Sequence, residues 1–221
     1  MSFLEIACFS PDSAIIASNA GADRIELCDD SDAGGTTPPL QWLTQIKPHV
    51  QIPIFVMIRP RGGDFAYSDH EFHQMKSSID VFKARADGFV FGILNGNRTV
   101  DVKRTAELVQ RAHPLPCTFH RAFDDAVDPL EAYESVLSTG CKAILSSGGA
   151  PSAAQGTKVL CNLVNQAKKS INVIPGGGVR AENIALIKAS TGASIFHSSA
   201  MRAGTSRPST AEIQRMKDLI R

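Results

Sequence analysis

Short apolar runs of four to seven residues alternate along this chain with longer runs in which apolar residues recur every three or four positions. The first pattern reads as strands buried on both faces, and the second as helices with one buried face. The short runs predict strands at Leu4–Cys8, Arg24–Cys28, Ile52–Ile58, Gly88–Leu94, Cys117–His120, Ala143–Ser147, Asn172–Pro175 and Ser194–His197. Each is followed by a helical pattern with recognisable ends. Ser10 precedes Pro11, Ser68 stands three before Glu71, and Asp128 precedes Pro129 and Glu131, as helix caps do. Gly21 and Gly140 stand where helices end. The last run, Thr210 to Arg221, puts Ile213, Met216 and Ile220 on one face.

Eight such pairs in strict alternation predict one parallel (β/α)8, TIM-like barrel, a single domain over residues 1–221. A doubly wound open sheet is the alternative. It usually carries a Gly-rich turn after its first strand, and Cys8-Phe9-Ser10-Pro11 is not one.

In a barrel of this kind the chemistry sits at the carboxyl ends of the strands. Three of those ends run into charge: Met57-Ile58-Arg59-Pro60-Arg61-Gly62-Gly63-Asp64-Phe65, Thr118-Phe119-His120-Arg121-Ala122-Phe123-Asp124 and Ile174-Pro175-Gly176-Gly177-Gly178-Val179-Arg180. Within the second strand Arg24 and Glu26 alternate with Ile25 and Leu27, so the charged pair points into the bore and the aliphatics face the helices. Glu26 and His120 are the candidate proton-transfer groups. Arg59, Arg61, Asp64, Arg121, His197 and the Gly176, Gly177, Gly178 turn are the candidate anion or substrate contacts. A plainer reading stands beside each: Arg24 pairs with Glu5 or Glu26 to fill a polar bore, and the glycines only permit a tight turn. The Gly34–Pro39 stretch is a lid or a plain connector.

The chain is 43% hydrophobic and 20% charged with a formal net charge of +1, the balance of a globule with a sizeable core. No basic stripe points to nucleic acid, and no apolar stretch approaches the roughly 18–20 residues of a membrane span. The N-terminal stretch Met1-Ser2-Phe3-Leu4-Glu5 lacks the pattern of a signal peptide. Five scattered cysteines without a CxxC pair predict reduced thiols and a cytoplasmic setting. Cys8 and Cys28 close the first two strands, and soft thiolates suit Cu(I) or Zn. Parity opposes this pairing: if Glu5 faces the bore, Cys8 faces the helices unless the strand bends at its end.

Five stretches together resemble the CutC copper homeostasis family over nearly the whole chain. They are Gly21-Ala22-Asp23-Arg24-Ile25-Glu26-Leu27-Cys28, Gly34-Gly35-Thr36-Thr37-Pro38, Ile58 to Phe65 with Tyr67-Ser68-Asp69, Thr118 to Asp124, and Pro175-Gly176-Gly177-Gly178. The resemblance implies a TIM-like barrel, cytosolic copper handling, Cu(I) held at Cys8 and Cys28, and a homo-oligomer, a dimer above all. After His197-Ser198-Ser199-Ala200 the family's longer segment over the barrel mouth is missing, and Met201–Ser209 leads directly into the last helix. Two readings stay open: a copper-binding homeostasis protein without catalysis, and a barrel enzyme using acid–base chemistry on a small anionic or phosphorylated metabolite.

Overall fold

The computed structural model describes residues 2–168, 170–202 and 204–221. Met1 of the N-terminal stretch and Ala203 of the Met201–Ser209 segment therefore lie outside the description. The strands are β1 Phe3–Cys8, β2 Arg24–Leu27, β3 Ile54–Met57, β4 Gly88–Phe91, β5 Cys117–Phe119, β6 Ala143–Ser146, β7 Asn172–Pro175 and β8 Ile195–Ser198. The helices are α1 Pro11–Asn19, α2 Leu40–Ile46, α3 Asp69–Phe82, α4 Val102–Ala112, α5 Pro129–Ser138, α6 Thr157–Ala167, α7 Ile184–Thr191 and α8 Thr210–Ile220. Among the described residues the one addition to strict alternation is a 3-10 turn, Arg121–Asp125, between β5 and α5.

Every ladder is parallel, and β1 pairs with both β2 and β8, so the first and last strands in sequence are neighbours in space. The ladder runs from β7 through β1 to β8, and β7 lies against β8 to complete the circle. That is the (β/α)8 barrel and not the doubly wound sheet. Several strands stop short of their apolar runs. Ile58, Ile93 and Leu94 are buried beyond the last ladder residues and pack with the outer core. Hydrophobicity reports burial, whereas a strand needs a partner for its backbone.

The alternation of side chains builds two cores. Leu4, Ile6, Cys8, Ile25, Leu27, Ile54, Val56, Phe89 and Phe91 pack outward with the helices. Phe55, Met57, Val90 and Cys28 form one cluster inside the bore, and Ala143, Leu145 and Ile174 form another. The caps hold the helices as their residue types require. Ser10 accepts from the Ser13 amide, Ser68 and Glu71 form a full capping box, and Asp128 accepts from Leu130 and Glu131. Gly21 and Gly140 have φ of 98° and 88°, the left-handed region that glycine takes without strain. Among the described residues no helix is long and apolar enough to cross a membrane.

Helix α8 is an integral stave of this barrel, with Ile213, Met216 and Ile220 buried in the outer core. Met216→Ala should lower the unfolding free energy in urea by about 2–5 kcal/mol, the range for truncating a buried methionine. An unchanged midpoint and slope would show that α8 is peripheral.

Candidate functional site

Register decides which charged side chains meet. Glu5 on β1 is the ladder partner of Arg24 on β2 and of His197 on β8, and paired residues in a parallel ladder share a face. All three point into the bore. Glu5 is fully buried, with Oε2 accepting from Arg24 Nε at 2.5 Å and Oε1 2.7 Å from His197 Nδ1. Ala7 pairs with Glu26, which sets Glu26 one layer higher, its Oε2 3.9 Å from His197 Nε2 and 3.2 Å from Cys28 Sγ. The result is a line running Arg24–Glu5–His197–Glu26–Cys28.

Its electrostatics follow from burial and charge. Burial alone would raise the Glu5 pKa, but the Arg24 charge and the His197 and Arg24 hydrogen bonds hold it down at about 2. His197 is held above its ordinary value: burial opposes the charge, and Glu26 and Glu5 together outweigh it. Burial raises Glu26, with the Glu5 charge adding to the shift. Glu5 thus fixes the imidazole through Nδ1 and leaves Nε2 facing Glu26. Glu5, Glu26 and His197 each offer a ligand atom within 4.8 Å of the others, so they could also gather round a metal ion.

Above this line opens a cavity of about 760 Å³, counted out to its mouth. Glu26 and His197 line it, with Met57, Arg59, Phe65 and His120 on its walls and Arg121, Gly177, Gly178, Arg180 and Ser199 toward the opening. The rim is built by Asp124. Its carboxylate accepts from Arg121 Nε at 2.8 Å, from the Ser146 and Ser147 hydroxyls, and from the Ser147 and Gly149 amides. Arg121 also reaches Ser147 Oγ at 3.1 Å, and Arg180 donates to Ser198 and Ser199. Gly177 has φ of 95°, and a Cβ there would stand 3.2 Å from the Arg121 guanidinium carbon, so glycine lets the guanidinium lie against the turn. Gly176 is different: a Cβ there would meet Leu145 Cδ1 at 2.4 Å, so it serves close packing at the end of β7.

The arginines at the β3 exit are structural in their contacts. Arg59 donates to the carbonyls of Ala33, Gly35 and Gly63, and its backbone bonds Thr37. It thereby fastens the Gly34–Pro39 stretch, singled out above as lid or connector, against the loop after β3. Arg61 pairs with Glu71 and Asp64 and donates to loop carbonyls. Neither Arg61 nor Asp64 is among the residues lining the cavity. His120 lines it, fully enclosed, with Nδ1 accepting the Ala122 amide at 3.2 Å. Burial and the Arg59 charge push its pKa down to about 3, so the ring is neutral.

The two thiols proposed for copper do not share a face. Cys8 pairs with Leu27, whose side chain packs outward, and Cys8 lies in the outer core with its thiol donating to the Ile6 carbonyl. Cys28 lies in the bore with Phe55, Met57 and Val90. Strand β1 stays extended to Cys8, so nothing turns its thiol inward. Burial, and then the Glu26 charge, raises both thiol pKa values well above the ordinary range.

The site also holds residues that the sequence reading undervalued. Glu5 reads as bore filler until the register shows it orienting His197. Its signal was a lone acid in an apolar strand. Asp124, which bonds five donors of the rim, was legible only as the end of Thr118–Asp124.

Residues 2–202 match the family model described as the CutC family. The chain is 46% identical over 198 residues to the human copper homeostasis protein cutC homolog, covering 89% of this chain and 72% of that protein. It is 45% identical over 198 residues to the family protein CutC of Chromobacterium violaceum, covering 89% and 80%. A crystal structure of CutC from Streptococcus agalactiae superposes with a TM-score of 0.84 at 31% identity, covering 90% of this chain and 99% of that one. Helix α8 lies beyond the matched residues.

The buried neutral imidazole has a measurable consequence. Between the ordinary histidine value of 6.5 and about 3 the unfolded chain holds a proton at residue 120 that the folded chain does not. Stability contributed by this group is therefore lost as pH falls through that window, at up to ~1.4 kcal/mol per pH unit. In His120→Asn the fall of unfolding free energy from pH 6 to 4, measured in urea, should be shallower by that amount. Parallel slopes would show that the imidazole titrates alike in both states.

Proposed function

The chain belongs to the CutC family, and from that premise we propose that its working site is the barrel mouth, where a small anionic ligand is held and undergoes proton transfer at Glu26 and His197. The observation that carries this reading is the Glu5–His197–Glu26 line opening onto a cavity that Arg121 and Arg180 border. A polar line this deep costs desolvation that a filled hydrophobic bore would avoid. Its placement under a cationic rim gives it a use. Arg121 and Arg180 draw in a carboxylate or phosphate, their forks matching such groups. The ligand's reacting end then reaches Glu26. A proton taken by Glu26 stays beside His197 Nε2, and Glu5 keeps the imidazole in the tautomer and orientation that can share it. Glu26→Gln should abolish turnover of a substrate found by metabolite screening. Arg121→Gln/Arg180→Gln should weaken binding of inorganic phosphate or citrate at least tenfold in calorimetry. Wild-type binding in the double variant would move the ligand elsewhere.

The relatives' link to copper supports a second reading, in which Cu(I) is bound and handled in the cytosol. The specific observation is Cys28: its thiol stands 3.2 Å from the Glu26 carboxylate, which can receive its proton, and packs in one cluster with the Met57 thioether. A soft d¹⁰ ion suits this donor set. Cys8 joins only if the end of β1 turns. In anaerobic Cu(I) titration Cys28→Ser should lose the tight site, while Cys8→Ser keeps it; loss of the site in both variants would restore the paired-thiolate arrangement. The five cysteines are free, in keeping with a reducing compartment. A homodimer is the expected assembly on the strength of the family resemblance alone.

A further inference from the structure

Among the described residues, three buried polar atoms of side chains that line the cavity have no hydrogen-bond partner: Glu26 Oε1, Arg59 Nε and His120 Nε2. Each belongs to a side chain that is at most 4% exposed. Polar atoms so enclosed are usually satisfied, and an unsatisfied set around one cavity points to what fills it. Their chemistry is specific. His120 Nδ1 accepts the Ala122 amide hydrogen, so the ring proton resides on Nε2, which is a donor. The Arg59 guanidinium is spent on carbonyls through its two terminal nitrogens, and its Nε–H is left over. Both side chains pack against Phe65, whose ring lies 5.0 Å from the His120 ring and 4.7 Å from the Arg59 guanidinium carbon, and the Arg59 charge is felt at His120. Gly92 leaves the space that His120 occupies: a Cβ there would stand 2.6 Å from Nδ1. The residues lining the cavity thus supply two unpaired donors and a carboxylate oxygen, Glu26 Oε1, with nothing to accept from.

We infer that His120 and Arg59 form the site for a carbonyl oxygen, and that the pocket catalyses proton transfer at the carbon beside that carbonyl in a small phosphorylated hydroxycarbonyl compound. This rests on the reading of the mouth as an anion site with Glu26 as base. The phosphate lies at Arg121 and Arg180, and the carbonyl oxygen accepts from His120 Nε2–H and Arg59 Nε–H. The C–H bond beside the carbonyl breaks, its proton passes to the Glu26 carboxylate, and the electron pair moves into the carbon–carbon bond. The oxygen takes up the negative charge as an enediolate. Glu26 then returns the proton to the former carbonyl carbon, while His120 Nε2 gives its proton to the former carbonyl oxygen and takes up the one released by the neighbouring hydroxyl, so carbonyl and hydroxyl exchange places without any co-reactant. A neutral imidazole suits the oxygen better than an imidazolium, because it stabilises the growing charge without surrendering its proton in the ground state. Burial and Arg59 keep His120 in that neutral form.

The test compares two ligands of the whole protein by calorimetry. Phosphoglycolate carries the phosphate with an ordinary carboxylate, and phosphoglycolohydroxamate mimics the enediolate. The wild type should bind the hydroxamate roughly tenfold or more tightly than phosphoglycolate, the gain expected of charge-assisted hydrogen bonds. His120→Asn should lose most of that advantage and weaken phosphoglycolate far less. A second measurement needs no variant: the His120 Nε2 proton should move downfield in the NMR spectrum when the hydroxamate binds. If both ligands bind equally, or the proton does not move, the inference falls while the anion site stands. If neither binds, the anion reading falls and takes the inference with it.

Discussion

A carboxylate without access to water sits at the centre of this barrel, and the arrangement of the bore follows from the need to keep it satisfied. Glu5 is ionised because Arg24 and His197 each occupy one of its oxygens. Removing either partner would strand a buried charge, which costs on the order of 3–5 kcal/mol. The same bonds fix the imidazole plane, and the imidazole in turn stands under Glu26. The chemistry of the site is therefore set from below by one strand residue and its two ladder neighbours. The loops above are arranged around what that line presents.

Two further buried polar groups do for the loops what Glu5 does for the bore. Arg59 ties the loop after β2 to the loop after β3 through three backbone carbonyls. Asp124 ties the turn after β5 to the one after β6 and aims Arg121 across the opening. Both satisfy backbone groups that short connections leave without ladder partners. With both in place the mouth is a braced ring, which suits recognition of a small ligand by preformed contacts. His120 stands apart from this bracing: one ring nitrogen is committed to the backbone, and the other has no partner among the described residues.

The copper link of the family and the acid–base layout of the bore meet at Cys28. Its thiol shares the Glu26 carboxylate with His197, so a metal ion and a substrate proton would compete for the same carboxylate. That geometry separates the two readings chemically, since a bound cation would take the carboxylate out of use as a base.

The eight-fold alternation of apolar runs, the cap residues and the inward parity of Arg24 and Glu26 were all legible in the chain. They depend on local periodicity, which a strand or helix imposes on its own sequence. Parity likewise foretold that Cys8 and Cys28 face opposite ways. The charged exits of three strands brought Arg59, His120, Arg121 and the glycine turn to notice without saying how each is used. That division came from the tertiary structure: Arg61 and Asp64 pair with each other outside the cavity, Gly176 serves packing, and His197 takes the place beside Glu26. Glu5 and His197 are 192 positions apart, and only the closure of the barrel, which sets β1 against β8, makes them hydrogen-bond partners. The sequence by itself determined which residues face inward. Which of them touch, and hence which carry charge, was decided by ladder register between strands distant in sequence, because hydrogen bonding and desolvation act over a few ångströms of space and take no account of separation along the chain.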